Sequence, residues 1–271
     1  MEIFTLNVGQ GQFVVVTGQK EAFIVDSYFP MNPDKDVQHV IGALAKILPG
    51  KDLKGLIVTG FDADHFNEVG LKIILNKYRP DWVMYPTYFK NTATADTCFA
   101  LIDGHTKDGK CQRRSVALTA NTHRYFNDLA NEFYFELFSP HANDRTSSNN
   151  CSIVCKVVEV STKRSYLITG DTENSRWKNI VTEFGGNLAA DVLAAAHHGS
   201  NNGCSLDWVK LVRPDTVLIS AGVNNKYGHP DAAAVAVYRS VAKNVFQTNA
   251  KTGISIRTVA NTAGVESYVF T

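Results

Sequence analysis

The sequence contains no long apolar run: the longest unbroken stretch is seven residues, Ala232 to Tyr238, against the roughly 20 that a membrane helix needs. Charge of one sign is not in excess either. Lys and Arg number 27 and Asp and Glu 26, for a formal net charge of +1, which speaks against a chain coated in nucleic acid or anionic lipid. Cysteine is scarce and unpatterned. Cys98, Cys111, Cys151, Cys155 and Cys204 form no C-x-x-C pair, and an odd number does not close a disulfide framework. They read as reduced thiols packed as small hydrophobes. The opening MEIFTLNVGQ lacks the positive segment and apolar stretch of a secretory signal. No period of roughly 20–50 residues marks a repeat array. These absences predict a cytoplasmic chain with no membrane partner; oligomeric state is not written in them.

The remaining composition, 44% hydrophobic and 20% charged, is that of an ordinary folding chain. Residues 3–8, 13–16 and 23–25 read as short strands, separated by Gly9, Gly11 and Gly18 at turn positions. Asn32-Pro33 opens a helix whose apolar face is Val37, Val40, Ile41, Leu44, Ile47 and Leu48. A buried strand at 55–59 leads into GFDADHFNEVG and a helix over 71–78. From Trp82 the pattern weakens. Residues 86–131, with polar stretches and basic Lys107, Lys110, Arg113 and Arg114, read as an insertion or lid holding a helix such as 118–129. Strands then follow at 133–138, 152–160, 166–169, 192–196 and 216–220, with helices at 172–184, 206–212 and 231–241 and closing strands at 254–257 and 266–270. Strands occupy both ends with no linker between, so residues 1–271 are expected to form one α/β domain.

Ionisable residues recur where apolar strands stop. The strand at 56–59 delivers Asp62, Asp64 and His65, and that at 166–169 delivers Asp171. Residues 192–196 deliver His197, His198 and Ser200, and residues 217–220 deliver Asn224, Tyr227 and His229. Strand ends gathered at one sheet edge build a site from residues distant in sequence. Carboxylates with imidazoles are ligands suited to zinc, and also to manganese or iron.

Seven stretches, in order and spacing, resemble the metallo-β-lactamase superfamily, and within it the hydrolase domain of ComEC-type DNA-uptake proteins and their stand-alone relatives. They are NVGQGQ (7–12), IVD (24–26), IVTGFDADHFNEVG (57–70), NNCSIV (149–154), LITGD (167–171), ADVLAAAHHGS (190–200) and NNKYGHP (224–230). The resemblance implies an αββα sandwich, two mixed sheets flanked by helices, with metal at one edge. It implies that Asp64 and His65 ligate one ion, that Asp171 bridges two, and that His197 or His198 adds an imidazole, with both open. Asp62 stands where the superfamily has a second histidine, and Asn149 or Asn150 where other branches have a third. Asp26 is implied to orient a ligand from behind, and His229 to contact a substrate phosphate or protonate a leaving group.

Three positions depart from the family pattern: Gly60 replaces a histidine, Gln12 an acid and Ala194 a lysine. Glycine has no ligating side chain, so one tight divalent ion is expected, zinc first. Asp62 is then a weak ligand of a second ion or a general base. The resulting expectation is a metal-dependent hydrolase of a phosphodiester or related phosphoester, nucleotides and nucleic acids among them. The alternative is a non-catalytic binding module with a degenerate metal site.

Overall fold

The first strands alternate in a way that serves two cores at once. In the computed structural model, which describes residues 1–30, 36–88, 90–107, 109, 111–119, 124–143 and 146–271, Ile3, Val14, Val16, Phe23, Val25 and Ile57 enter one apolar cluster. Their neighbours Phe4, Val15, Ile24 and Leu56 enter another. Successive side chains of a strand point to opposite faces, so a sheet with both faces apolar is covered on both sides.

That sheet has eight strands. β1 (Glu2–Thr5), β2 (Val14–Thr17), β3 (Glu21–Val25), β4 (Asp52–Ile57), β5 (Trp82–Pro86) and β6 (Gln112–Val116) are followed late in the chain by β14 (Ser255–Asn261) and β15 (Gly264–Phe270). The order across it is β15-β14-β1-β2-β3-β4-β5-β6, antiparallel on the first side and parallel from β3 onward. Helices α1 (Asp36–Ile47), α2 (Glu68–Ile73) and α3 (Ala93–Thr106) supply Val40, Leu44, Leu71, Ala95, Cys98 and Ile102 to the outer cluster.

The second sheet runs β13-β12-β11-β10-β9-β8-β7. Its strands are β7 (Tyr125–Phe126), β8 (Phe133–Ser139), β9 (Val154–Glu159), β10 (Ser165–Ile168), β11 (Val192–Ala194), β12 (Thr216–Ile219) and β13 (Asn244–Gln247). It is antiparallel through β10 and parallel beyond. Helices α4 (Asn174–Phe184), α5 (Leu206–Val212) and α6 (Ala232–Val241) add Trp177, Trp208 and Tyr238 to the inner cluster. The two tryptophan rings stack at 4.1 Å. The layers are therefore helix, sheet, sheet, helix, as the resemblance implies, and both sheets are mixed.

Residues 86–131 depart from the expectation. They hold α3 and β6, a crossover that extends the first sheet in parallel beyond β5. Among the described residues of 118–129 there is no helix: Leu118 bridges to His141, and Tyr125–Phe126 pairs with β8 as β7. The edge strand QRRSV carries too few apolar residues to read as β, and α3 buries only Ala95, Cys98 and Ile102. The chain around β13, KNVFQT, is equally short of signal. The expected helix start at Asn32-Pro33 and the basic residue Lys110 lie outside the described residues. Among those described, no helix is long and apolar enough to cross a membrane.

Candidate metal centre

The carboxyl ends of β3, β4, β10, β11 and β12 meet at one edge of the sandwich, the end of parallel strands at which α/β sheets place their sites. Asp26 follows β3 with a left-handed φ of 57° and is wholly buried. Asp64 and His65 follow β4, just before the Asn67 cap of α2. The turn at 8–12 closes on them: the Gln12 amide donates to the Asp64 carbonyl at 2.9 Å. A Cβ on Gly11 would fall 2.3 Å from the Tyr28 ring and 2.8 Å from the Asp64 carbonyl oxygen, so only glycine allows this approach. Gly170, at φ 50°, turns the chain after β10 and aims Asp171 inward. After β11, His197 and His198 both take left-handed backbone, φ 51° and 55°. This costs about 1–2 kcal/mol per residue and sends the two rings different ways.

Asp64, His65, Asp171 and His198 converge, with one ligand atom from each within 4.8 Å of the others. Each imidazole is locked through Nδ1. His65 Nδ1 is 2.8 Å from Asp26 Oδ2, and Asp26 also accepts from the Thr59 amide and hydroxyl at 2.7 and 2.8 Å. His198 Nδ1 donates to the Ser220 carbonyl at 2.9 Å. The Nε2 atoms therefore face the cluster. His65 Nε2 lies 2.9 Å from Asp171 Oδ2, and His198 Nε2 lies 3.5 Å from Asp64 Oδ2. Both Nε2 atoms and Asp171 Oδ1 are buried with no hydrogen-bond partner. Buried polar atoms without partners are expensive. Two carboxylates and two neutral imidazoles carry a charge of about −2, which one divalent cation balances. The donor set and its unpartnered atoms thus fit a divalent metal, with imidazoles oriented by acceptors behind them as in metal sites generally.

The groups strain each other's protonation when no ion lies between them. Burial disfavours the charged forms of His65 and His198, yet the adjacent carboxylates outweigh it and raise both above the usual histidine range. Burial opposes ionisation of Asp171 and Asp64, but the imidazoles beside them hold both below the usual carboxylate range. Asp26 goes the other way: burial outweighs His65 and Thr59 and raises it.

The cluster forms part of the floor of a cleft of about 710 Å³ that also exposes Asp62, Lys90, Asn149, His197, Tyr227 and His229. His197 faces this space, 3.9 Å from Asp171 and 4.0 Å from Glu173, while His198 joins the cluster. Asp62, expected near a second ion, instead pairs with Lys90. His229 stacks on Tyr227 and meets His197 edge-on; burial and the two neighbouring imidazoles lower its pKa. Asn149 donates to Glu173 at 3.0 Å. Asn150 points away, donating to Ser175 at 3.0 Å, and the Ser200 hydroxyl caps the next turn through the Asn202 amide at 3.2 Å. Lys90, Glu173, Gln10 and Tyr28 also reach the site. Gln10 lies within the NVGQGQ stretch and Glu173 two residues beyond Asp171, signals that sequence reading overlooked.

The fold is similar to that of Igni18, a metallo hydrolase of Ignicoccus hospitalis, with a TM-score of 0.56 and 13% identity over 95% of this chain and 98% of that one. The chain has the metallo-β-lactamase fold. This fold also relates it to a variant of the β-hydroxylase CmlA (TM-score 0.51, 13% identity, 90% of this chain and 52% of that one), a diiron protein of Streptomyces venezuelae. In sequence it is similar to ComE operon protein 3 of Bacillus subtilis, 26% identical over 94% of this chain, and to competence protein ComA of Neisseria gonorrhoeae, 34% identical over 36%. The chain spans 33% of the first and its matched part 14% of the second. No family model matches. At Gly60, where the resemblance implies a histidine, a Cβ would meet only Ser152 Oγ, at 3.5 Å.

Proposed function

We propose that this protein is a metal-dependent hydrolase of phosphodiesters or related phosphoesters, working with one divalent ion, zinc before manganese or iron. The observation that carries the reading is the set Asp64, His65, Asp171 and His198, in which the buried His65, Asp171 and His198 turn unpartnered atoms to one point beneath an open cleft. A bound divalent ion supplies Lewis acidity and brings the pKa of water from 15.7 to about 7. Around it, Asp26 and the Ser220 carbonyl keep the two imidazoles in the tautomer that leaves Nε2 free. Lys90 and Lys226 place positive charge at the cleft, favourable for a phosphoester anion. His229, neutral at pH 7 because its pKa is lowered, hydrogen-bonds a phosphoryl oxygen. The anion offsets the neighbouring imidazoles and lets His229 carry the proton that a leaving oxygen takes up.

Protein purified without added metal, assayed for bound ion and for hydrolysis of bis(p-nitrophenyl) phosphate, tests this. About one ion per chain and turnover lost on chelation are expected. One observation favours a second reading, a binding module: neither Gly60 nor Asn149 offers an imidazole to a second ion. Firmly bound metal without turnover of any phosphoester would make that reading the correct one.

A further inference from the structure

Asp62 is the one carboxylate of the β4 loop left outside the four-residue cluster. Its partner is the Lys90 ammonium, contributed by the segment between β5 and α3, and both side chains face the cleft, 22% and 34% exposed. Two of the further donors that the family pattern would offer a second ion are missing, which leaves His197, 3.9 Å from Asp171, as the imidazole facing that space. Gly60 has no side chain, and the Asn149 amide is turned to Glu173. Charge makes the same point. The cleft is lined by Asp62, Asp64 and Asp171; one divalent ion balances the last two, and Asp62 would repel an incoming anion unless a further cation offset it. Lys90 is that cation. An ammonium has three donors, and pairing with Asp62 leaves two for phosphoryl oxygens.

We propose that the Lys90 ammonium, anchored by Asp62, takes the place of a second metal ion as the fixed positive charge that binds the substrate's phosphoryl group. The proposal rests on the phosphoester reading and commits the chain to a single ion. It predicts that a cation supplied by the β5–α3 segment, and not by the β11 position where Ala194 is buried, sets affinity for anionic substrates.

The test is calorimetric binding of inorganic phosphate to metal-loaded protein, with metal content measured beside it. Lys90→Met is expected to weaken phosphate about 10-fold or more, the scale of losing a charge-assisted hydrogen bond. Lys90→Arg should stay within about 3-fold of the parent, since the charge is kept. All three proteins should hold one ion per chain in excess metal. Unchanged phosphate affinity in Lys90→Met overturns the proposal, as does a second firmly held ion in the parent. A protein that binds phosphate through Lys90 but hydrolyses no phosphoester would instead refute the catalytic reading and leave the Lys90 assignment standing.

Discussion

At the scale of single residues, the site separates the carboxylates that would hold the proposed ion from the one that answers a lysine. Asp171 is buried beside three imidazoles, whereas Asp62 is partly exposed and paired with Lys90. Asp171→Asn keeps the shape but removes a charge that a divalent ion requires. It should lose the ion on dialysis, with activity falling more than the roughly 10–100-fold typical of groups that only orient ligands. Asp62→Asn should retain the ion. Metal analysis of the two variants decides the matter, and the reverse pattern would place the ion on Asp62. Protonation is expected to compete with the metal. His65 and His198 have raised pKa values without an ion, and ligation needs them neutral. Loading chelated protein near pH 7 should therefore release protons, and affinity should fall as pH drops through those raised values. Calorimetry in buffers of differing ionisation enthalpy reads the proton count directly. A heat independent of buffer would mean that the imidazoles were already neutral.

At the scale of elements, each ligand is aimed by the turn that ends its strand. Gly170 combines φ 50° with a Cβ position 2.8 Å from the Ser152 Cβ. Gly170→Ala should cost about 1–3 kcal/mol of stability and loosen Asp171, measurable as a lower unfolding midpoint together with faster metal loss to a chelator. An unchanged midpoint would show that Ser152 gives way freely. The elements also differ in how far they were legible in the chain. Strands β3, β4, β10, β11 and β12 are short apolar runs ending in polar loops, and periodicity marks them because both faces are buried. The predicted α5, Leu206–Val212, coincides with the observed helix. β6 is an edge strand and β7 has two residues. Such strands bury little, carry little pattern, and form because a neighbouring strand offers hydrogen bonds.

At the scale of the molecule, the candidate ion site joins the halves of the sandwich. His65 and Asp64 belong to the first sheet and Asp171 and His198 to the second, and the Ser220 hydroxyl reaches across to the Gly11 carbonyl at 2.7 Å. An ion held by ligands from both sheets binds only the folded state. At 1,000 times its Kd it adds about 4 kcal/mol, so chelation should lower the thermal midpoint by several degrees, reversibly on readdition. A midpoint indifferent to chelator would mean that no ion bridges the sheets.

The sequence by itself determined the α/β class and the strand-end position of Asp64, His65, Asp171 and the His197-His198 pair, because these follow from local periodicity, and through the family resemblance it marked the missing imidazole at Gly60. Only the tertiary structure decided which histidine turns inward, that Asp62 answers Lys90, and that residues 86–131 extend a sheet. The choice between His197 and His198 depends on two consecutive left-handed residues and on the Ser220 carbonyl of another strand. The Asp62–Lys90 pair joins positions 28 residues apart. Contacts across such separations leave no period in the chain; they exist only once the sheets have packed.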